Sequence, residues 1–135
     1  MSAHQSFRAW IAASTAAHVG FGFMAMGGWA VWANRAHGLE VMALAGLVQG
    51  TISGLLTLAL KKSLEWLNRR MQARAALAFP PAITASAILG ILVTAHALAG
   101  TPALWTTIAV PWTVSTSYAI VYNLRLSREK RAHER

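Results

Sequence analysis

Residues 41–60 form an uncharged apolar stretch that limits the folds open to this chain. An α-helix rises about 1.5 Å per residue, so a helix of this length crosses the roughly 30 Å hydrocarbon core of a bilayer. Gly46, Gly50 and Gly54 recur at every fourth position within it. We therefore predict a transmembrane helix with one narrow face of small residues.

A polar series, Gln49, Ser53 and Thr57, lies beside the glycines on the same face. Small residues at this spacing let two helix backbones approach closely in lipid, and hydrogen bonds across the contact add about 0.6 to 2 kcal/mol each. Another helix must therefore cover this face. The predicted helix-packing residues are Gly46, Gly50, Gly54 and, in a later apolar stretch, Gly90.

The composition extends this interpretation to the whole chain. The sequence is 56% hydrophobic and only 12% charged, against about 25% charged residues in soluble domains. The four predicted spans are residues 9–33, 41–60, 82–98 and 104–124, and none contains Asp or Glu. We predict an all-α, polytopic integral membrane protein, in which one domain forms an up-down bundle of four transmembrane helices.

Basic residues are distributed unevenly between the two sides of this topology. Eleven of the 12 Lys and Arg residues fall in the N-terminal segment, the connection 61–79 or the tail 125–135, and only Arg35 lies opposite. The positive-inside rule then places both termini in the cytoplasm, and the chain in the cytoplasmic (inner) membrane. The net charge of +8 would otherwise suggest nucleic acid. Because topology accounts for the charge, we expect no nucleic-acid partner.

The connection 61–79 combines basic residues with apolar residues at helical spacing. We interpret it as a cytoplasmic extension of the second helix at the level of the lipid headgroups, with a solvated charged loop as the alternative. Pro80 and Pro81 should end this segment, so that the third helix begins after them. The candidate contacts to anionic headgroups are Lys61, Lys62, Arg69, Arg70 and Arg74.

Short links predict two antiparallel helix hairpins. Residues 34–40 contain Gly38, and residues 100–102 are Gly-Thr-Pro, so each link is long enough only for a turn. Pro111 should kink the fourth helix by removing a hydrogen bond. The charged tail 125–135 is expected to fray. The first span is longer than the apolar core of a signal peptide, so we expect it to be retained.

His18 is the most suggestive single residue, since it lies about ten residues into the first span. An ionisable group at that depth is costly unless it faces protein or water. The residues that reach a similar depth by counting form a candidate substrate path of His18, Gln49, Ser53, Thr57, Ser115 and Tyr118. The alternative is structural, with neutral His18 hydrogen-bonded across the bundle.

Several kinds of chemistry are disfavoured. The chain contains no Cys, which excludes thiolate sites and a Cys nucleophile. His18 and His96 lie at different depths, and neither has a second His one turn away or a carboxylate in the membrane to join it. We therefore expect no metal site and no cofactor, and we do not expect an enzyme.

Two functions remain open at this stage. The first is an oligomeric transporter or channel for a small solute, an ion or a lipid headgroup, since the polar path spans three helices. The second is a non-transporting accessory or assembly subunit of a larger membrane complex, or a holin-like membrane protein. The expected partners are the bilayer with its anionic headgroups and either further copies of the chain or another membrane protein.

Overall fold

The computed structural model describes residues 3–72 and 74–133, with side chains from residue 14 onward. Its four helices are α1 (Ala3–Ala33), α2 (Leu39–Arg70), α3 (Ala75–Leu98) and α4 (Leu104–His133). The predicted all-α class and the number of helices are therefore confirmed. Arg8, the basic residue of the N-terminal segment, lies outside the described side chains, and residues 1–2, 73 and 134–135 lie outside the described residues altogether.

α1 and α2 form one helix hairpin, α3 and α4 form a second, and the two hairpins pack against each other. α1 packs against α2 and α3 against α4, while α2 and α4 also contact each other; among the described residues α1 touches α4 but not α3. The hairpin end of the bundle holds the two turns at 34–38 and 99–103. The basic end holds the α2–α3 connection at 71–74 and the last turns of α4. α2 and α4 each contact all three other helices.

Glycine shapes both turns at the hairpin end. Gly38 has φ of 89° and Gly100 has φ of 66°, values that side-chain-bearing residues rarely adopt. After α3, the Thr101 N–H donates to the His96 carbonyl and the Gly100 N–H donates to the Ala97 carbonyl. This pair of bonds is the Schellman arrangement, which satisfies the last carbonyls of a helix. The two predicted tight turns are confirmed.

The predicted start of the third helix is wrong. α3 begins at Ala75, and Pro80 and Pro81 lie inside it. A proline inside a helix leaves the carbonyl four residues earlier without an N–H donor, which here means Ala76 and Leu77. The Asn123 Nδ2 atom, from α4, lies 2.9 Å from each of these two carbonyl oxygens. The prolines are tolerated because a side chain from a distant helix supplies the missing donors.

The tail is also more ordered than expected. α4 continues through Pro111 and runs to His133, so the described part of the tail is helical rather than frayed. Pro111 leaves the carbonyl of Thr107 without its helical N–H donor. Trp29 Nε1, from α1, donates at 3.0 Å to the preceding carbonyl, that of Thr106. The helical extension of α2 beyond residue 60 is confirmed as far as Arg70, whereas its position at the level of the lipid headgroups stays a prediction.

The bundle buries polar groups and exposes apolar ones. Among the described side chains, ten buried residues are polar or charged types and nine are hydrophobic. Large apolar side chains cover the outside, with Phe21 74% exposed and Leu98 85% exposed. A small apolar core forms around Leu64, Leu92 and Ile108. Soluble proteins show the opposite preference, because their interiors are mainly hydrophobic.

Two of the described helices, α2 and α3, are long and apolar enough to cross a membrane. Core helices of soluble proteins pass the same test when they are mostly buried. Here only 28% of the most apolar window of α2 and 33% of that of α3 are buried. These two helices give weak support to a membrane protein.

Candidate functional site

The glycine face of α2 lies against α1, as the sequence predicts. A Cβ atom placed on Gly50 would lie 3.0 Å from the ring and the carbonyl oxygen of Phe23. A Cβ on Gly27 would lie 2.9 Å from the Gly46 carbonyl oxygen, and one on Gly54 would lie 3.3 Å from a methyl group of Val19. A Cβ atom at these positions would therefore require the neighbouring atoms of α1 or α2 to move. The prediction that another helix covers this face is confirmed.

Gly90 does not share this role. It is exposed on α3, and an added Cβ would meet nothing within 4 Å. Its assignment as a helix-packing residue within the bundle is therefore wrong. The spacing of Gly90 from Ser86 resembles that of the α2 glycines, but α3 meets its neighbours through other residues, including Thr84, Ile88 and Leu92.

His18 lies on the outside of the bundle. Its Nδ1 atom is 3.0 Å from the Ser14 carbonyl oxygen of the same helix, and its side chain is exposed. Phe21, on the same side of α1, is also exposed, because α1 meets α2 through Val19, Phe23 and Gly27 instead. The structure therefore does not bring His18 together with the polar residues of α2.

The buried histidine is His96, which joins the polar residues of α2 in a hairpin-end cluster of Gln49, Ser53, His96 and Thr101. Its Nε2 atom lies 2.9 Å from Gln49 Oε1, and its Nδ1 atom lies 2.9 Å from Thr101 Oγ1. Gln49 Nε2 donates to Ser53 Oγ at 2.8 Å. With the amide in this orientation, His96 Nε2 carries the hydrogen and Nδ1 accepts from Thr101. Both ring nitrogens of the histidine are therefore satisfied within the protein.

Asn34 joins the two turns at the hairpin end. Its Nδ2 atom donates to Thr107 Oγ1 at 2.8 Å and to the Ala30 carbonyl at 2.9 Å. Its Oδ1 atom accepts from the Ala103 N–H, just before α4, at 3.2 Å. The buried side chain of Asn34 thus contacts both the last turn of α1 and the residue that precedes α4. Fixing both turns with one residue holds the two hairpins in register.

A second polar cluster, the basic-end cluster, consists of Asn68, Asn123, Ser127 and Lys130. Asn68 Nδ2 lies 2.9 Å from both Asn123 Oδ1 and Ser127 Oγ. Lys130 Nζ donates to the Asn68 carbonyl at 3.1 Å and to the Met71 carbonyl at 2.7 Å. The ammonium group therefore caps the C-terminal end of α2, where the helix dipole favours a positive charge. This cluster connects α2, α3 and α4.

The remaining candidate path residues are dispersed. Thr57 is exposed and donates to the Ser53 carbonyl of its own helix at 2.8 Å. Ser115 is half-buried, and Tyr118 is 43% exposed and stacks on Tyr122 at a centroid distance of 5.5 Å. The structure thus brings Gln49 and Ser53 together but does not combine the six residues into one path.

The basic candidates Lys61, Lys62, Arg69, Arg70 and Arg74 are all exposed at the basic end. The Arg70 guanidinium carbon lies 4.4 Å from the centre of the Trp66 ring, a cation–π contact. Glu65 points elsewhere, since Tyr122 Oη donates to its carboxylate at 2.6 Å. The positive charge on this surface is therefore not neutralised by the one acidic residue in this part of α2.

The buried polar groups largely satisfy one another. Among the described residues, Thr116 Oγ1 is the buried side-chain atom that lacks a hydrogen-bond partner. No group of three or more His, Cys, Asp and Glu residues in the described part of the chain has the geometry to hold a metal ion. The polar part of the interior thus consists of amide, hydroxyl and imidazole side chains that connect the helices.

Sequence reasoning did not identify His96, Asn34, Asn68 or Asn123 as interior residues. One signal for Asn123 was present, because two consecutive prolines in a helix require two external donors and an asparagine side chain can supply them. The position of His96 near the end of a helix gives no sign of its burial. The turn at Gly100 nevertheless folds Thr101 back onto its ring.

Comparison with known proteins leaves the function to be argued from this geometry. No protein-family model, no curated protein and no solved structure matches the chain.

Proposed function

We propose that this protein is a four-span integral membrane protein of the cytoplasmic membrane, with both termini in the cytoplasm. The inverted distribution of polar and apolar side chains supports this proposal, because lipid accepts the exposed apolar residues and penalises polar groups that lack partners. The basic residues gather at the basic end, as the positive-inside rule requires of a cytoplasmic end.

Within the membrane, we propose that the chain acts as an assembly subunit that binds another membrane protein or further copies of itself. The observation that carries this proposal is the exposed position of His18 on the outer side of α1. A histidine deep in a span is costly when it faces lipid and normally faces protein or water. A neighbouring protein that packs on α1 would cover the exposed His18 ring, which within the bundle contacts the Ser14 carbonyl of its own helix.

Transport by an oligomer is the second candidate function. The same exposed His18 favours it, because an ionisable side chain between subunits can line a path for an ion or a small solute. Gln49, Ser53 and His96 hydrogen-bond to one another, so these polar groups are already paired within the protein. This pairing argues against a path for solute through a single bundle. A path between copies uses α1 instead.

Site-directed photo-crosslinking tests the assembly surface. The chain contains no Cys, so a single cysteine can carry a maleimide–benzophenone label at one chosen position. We expect label on Phe21→Cys to capture a neighbour in native membranes, and label on Ile91→Cys, which is also exposed but lies on α3, to capture mainly lipid. The mass of the product distinguishes a second copy from a different protein. Equal capture at both positions would remove the argument for α1.

Liposome flux separates assembly from transport. Purified protein is reconstituted, and the movement of protons, monovalent ions and a fluorescent lipid is followed for the wild type and for His18→Gln. The assembly function predicts tight vesicles in both cases, with less crosslinking in the variant. Flux through the wild type that disappears in an intact His18→Gln oligomer would instead establish transport.

A further inference from the structure

A groove between α2 and α3 opens on the outside of the bundle near the basic end. Its volume is about 540 Å³, and its lining is mainly apolar. The residues that line it are Lys62, Ser63, Trp66, Leu67, Ile83, Thr84 and Ala87. The predicted spans place this groove at the cytoplasmic boundary of the membrane, since span two ends at residue 60 and span three begins at residue 82.

Positive charge borders this groove. Lys62 lines it directly, and Arg69 follows seven residues later, close to the same side of α2. Arg70 is held over the Trp66 ring, which is itself part of the lining. The Glu65 carboxylate accepts a hydrogen bond from Tyr122 Oη of α4, and Glu65 does not line the groove. A ligand in this place therefore meets apolar walls and a cationic rim.

We infer that the groove binds one anionic phospholipid, with an acyl chain against Ile83, Ala87 and Leu67 and the phosphate near Lys62. The inference rests on the membrane insertion proposed above. The charge of the rim selects for an anionic headgroup, because each Lys or Arg near the membrane surface contributes about 1 kcal/mol to the attraction. The indole of Trp66 suits the same interfacial level.

Native mass spectrometry of the purified protein tests this inference. The protein is titrated with phosphatidylglycerol and with phosphatidylcholine of identical acyl chains. We expect one molecule of phosphatidylglycerol to bind in preference, and Lys62→Gln to weaken that binding about fivefold. Arg128→Gln is the matched control, because it removes the same charge from an exposed position at the same end of the bundle but on α4, which does not line the groove. We expect its effect to be less than about twofold.

The shape of the groove is tested separately. Ala87→Phe fills the groove and should reduce binding of both lipids, whereas Ala97→Phe, at an exposed position further along the same helix, should leave binding unchanged. Thermal unfolding of each variant shows that the fold is retained. Equal binding of the two lipids, or equal losses in Lys62→Gln and Arg128→Gln, would overturn the inference while leaving membrane insertion intact. A protein recovered outside the membrane fraction would overturn both proposals.

Discussion

Asn123 takes over the donor function of two backbone N–H groups. Pro80 and Pro81 remove those groups from α3, and Asn123 donates to the two carbonyls left behind. Asn68 and Ser127 also contact the Ala76 carbonyl, at 3.2 and 3.3 Å. At a buried site, leaving such carbonyls unsatisfied is costly. The asparagine and the prolines therefore form one unit, although 42 residues separate Pro81 from Asn123.

The first prediction concerns this unit. Asn123→Ala should destabilise the protein by about 1 to 3 kcal/mol, because it removes the side-chain donor from the Leu77 carbonyl, one donor from the Ala76 carbonyl and an acceptor from buried Asn68. Chemical unfolding in detergent, followed by circular dichroism, measures the loss. In a background of Pro80→Ala and Pro81→Ala, the helix supplies its own N–H groups, so Asn123→Ala should cost clearly less. An equal cost in both backgrounds would contradict the proposed link.

A second prediction concerns the hairpin-end cluster. Gln49→Leu should cost about 1 to 3 kcal/mol, because it leaves His96 Nε2 buried without a partner. His96→Leu should have a similar cost for the same reason. The double variant should cost less than the sum of the two, because it removes both polar groups at once. Strict additivity in the same unfolding measurement would show that the two side chains do not depend on each other.

At the scale of the helices, the sequence predicted one contact face and missed another. On α2 the glycines occur at every fourth position, so only one face could pack closely. α1 also contains glycine, but Gly20 and Gly28 meet nothing within 4 Å whereas Gly22 and Gly27 contact α2. Glycines on several sides of one helix do not define a face. His18, which the sequence placed on a polar path with residues of other helices, is therefore exposed instead.

The third prediction compares two glycines. Gly50→Ala should destabilise the protein by about 1 to 3 kcal/mol, because its Cβ would lie 3.0 Å from the Phe23 ring and from a carbonyl oxygen that cannot easily move. Gly90→Ala is the matched control. It should be neutral or should stabilise the protein by up to about 1 kcal/mol, since alanine favours the helix and open space surrounds the site. Thermal unfolding in detergent measures both, and equal losses would mean that α1 does not pack on Gly50.

For the whole molecule, length, hydropathy and turn residues predicted four helices and two tight turns. Each of these features depends on residues that are close together in the chain, so it can be read from the sequence alone. The boundaries at Pro80 and at the tail were not predicted, because they depend on contacts between residues far apart in the chain, such as Lys130 with the end of α2. The two polar clusters were missed for the same reason. Their members come from different helices, and only the packing brings them together.

The four-span topology underlies both proposed functions, and thiol labelling tests it directly. The chain lacks Cys, so His37→Cys at the hairpin end and Gln72→Cys and Ala132→Cys at the basic end can each be the only thiol. All three positions are exposed. We expect a membrane-impermeant maleimide to label His37→Cys in intact cells, and to label the other two only after lysis. Protection of His37→Cys in intact cells, or equal labelling of all three positions before lysis, would contradict the four-span arrangement.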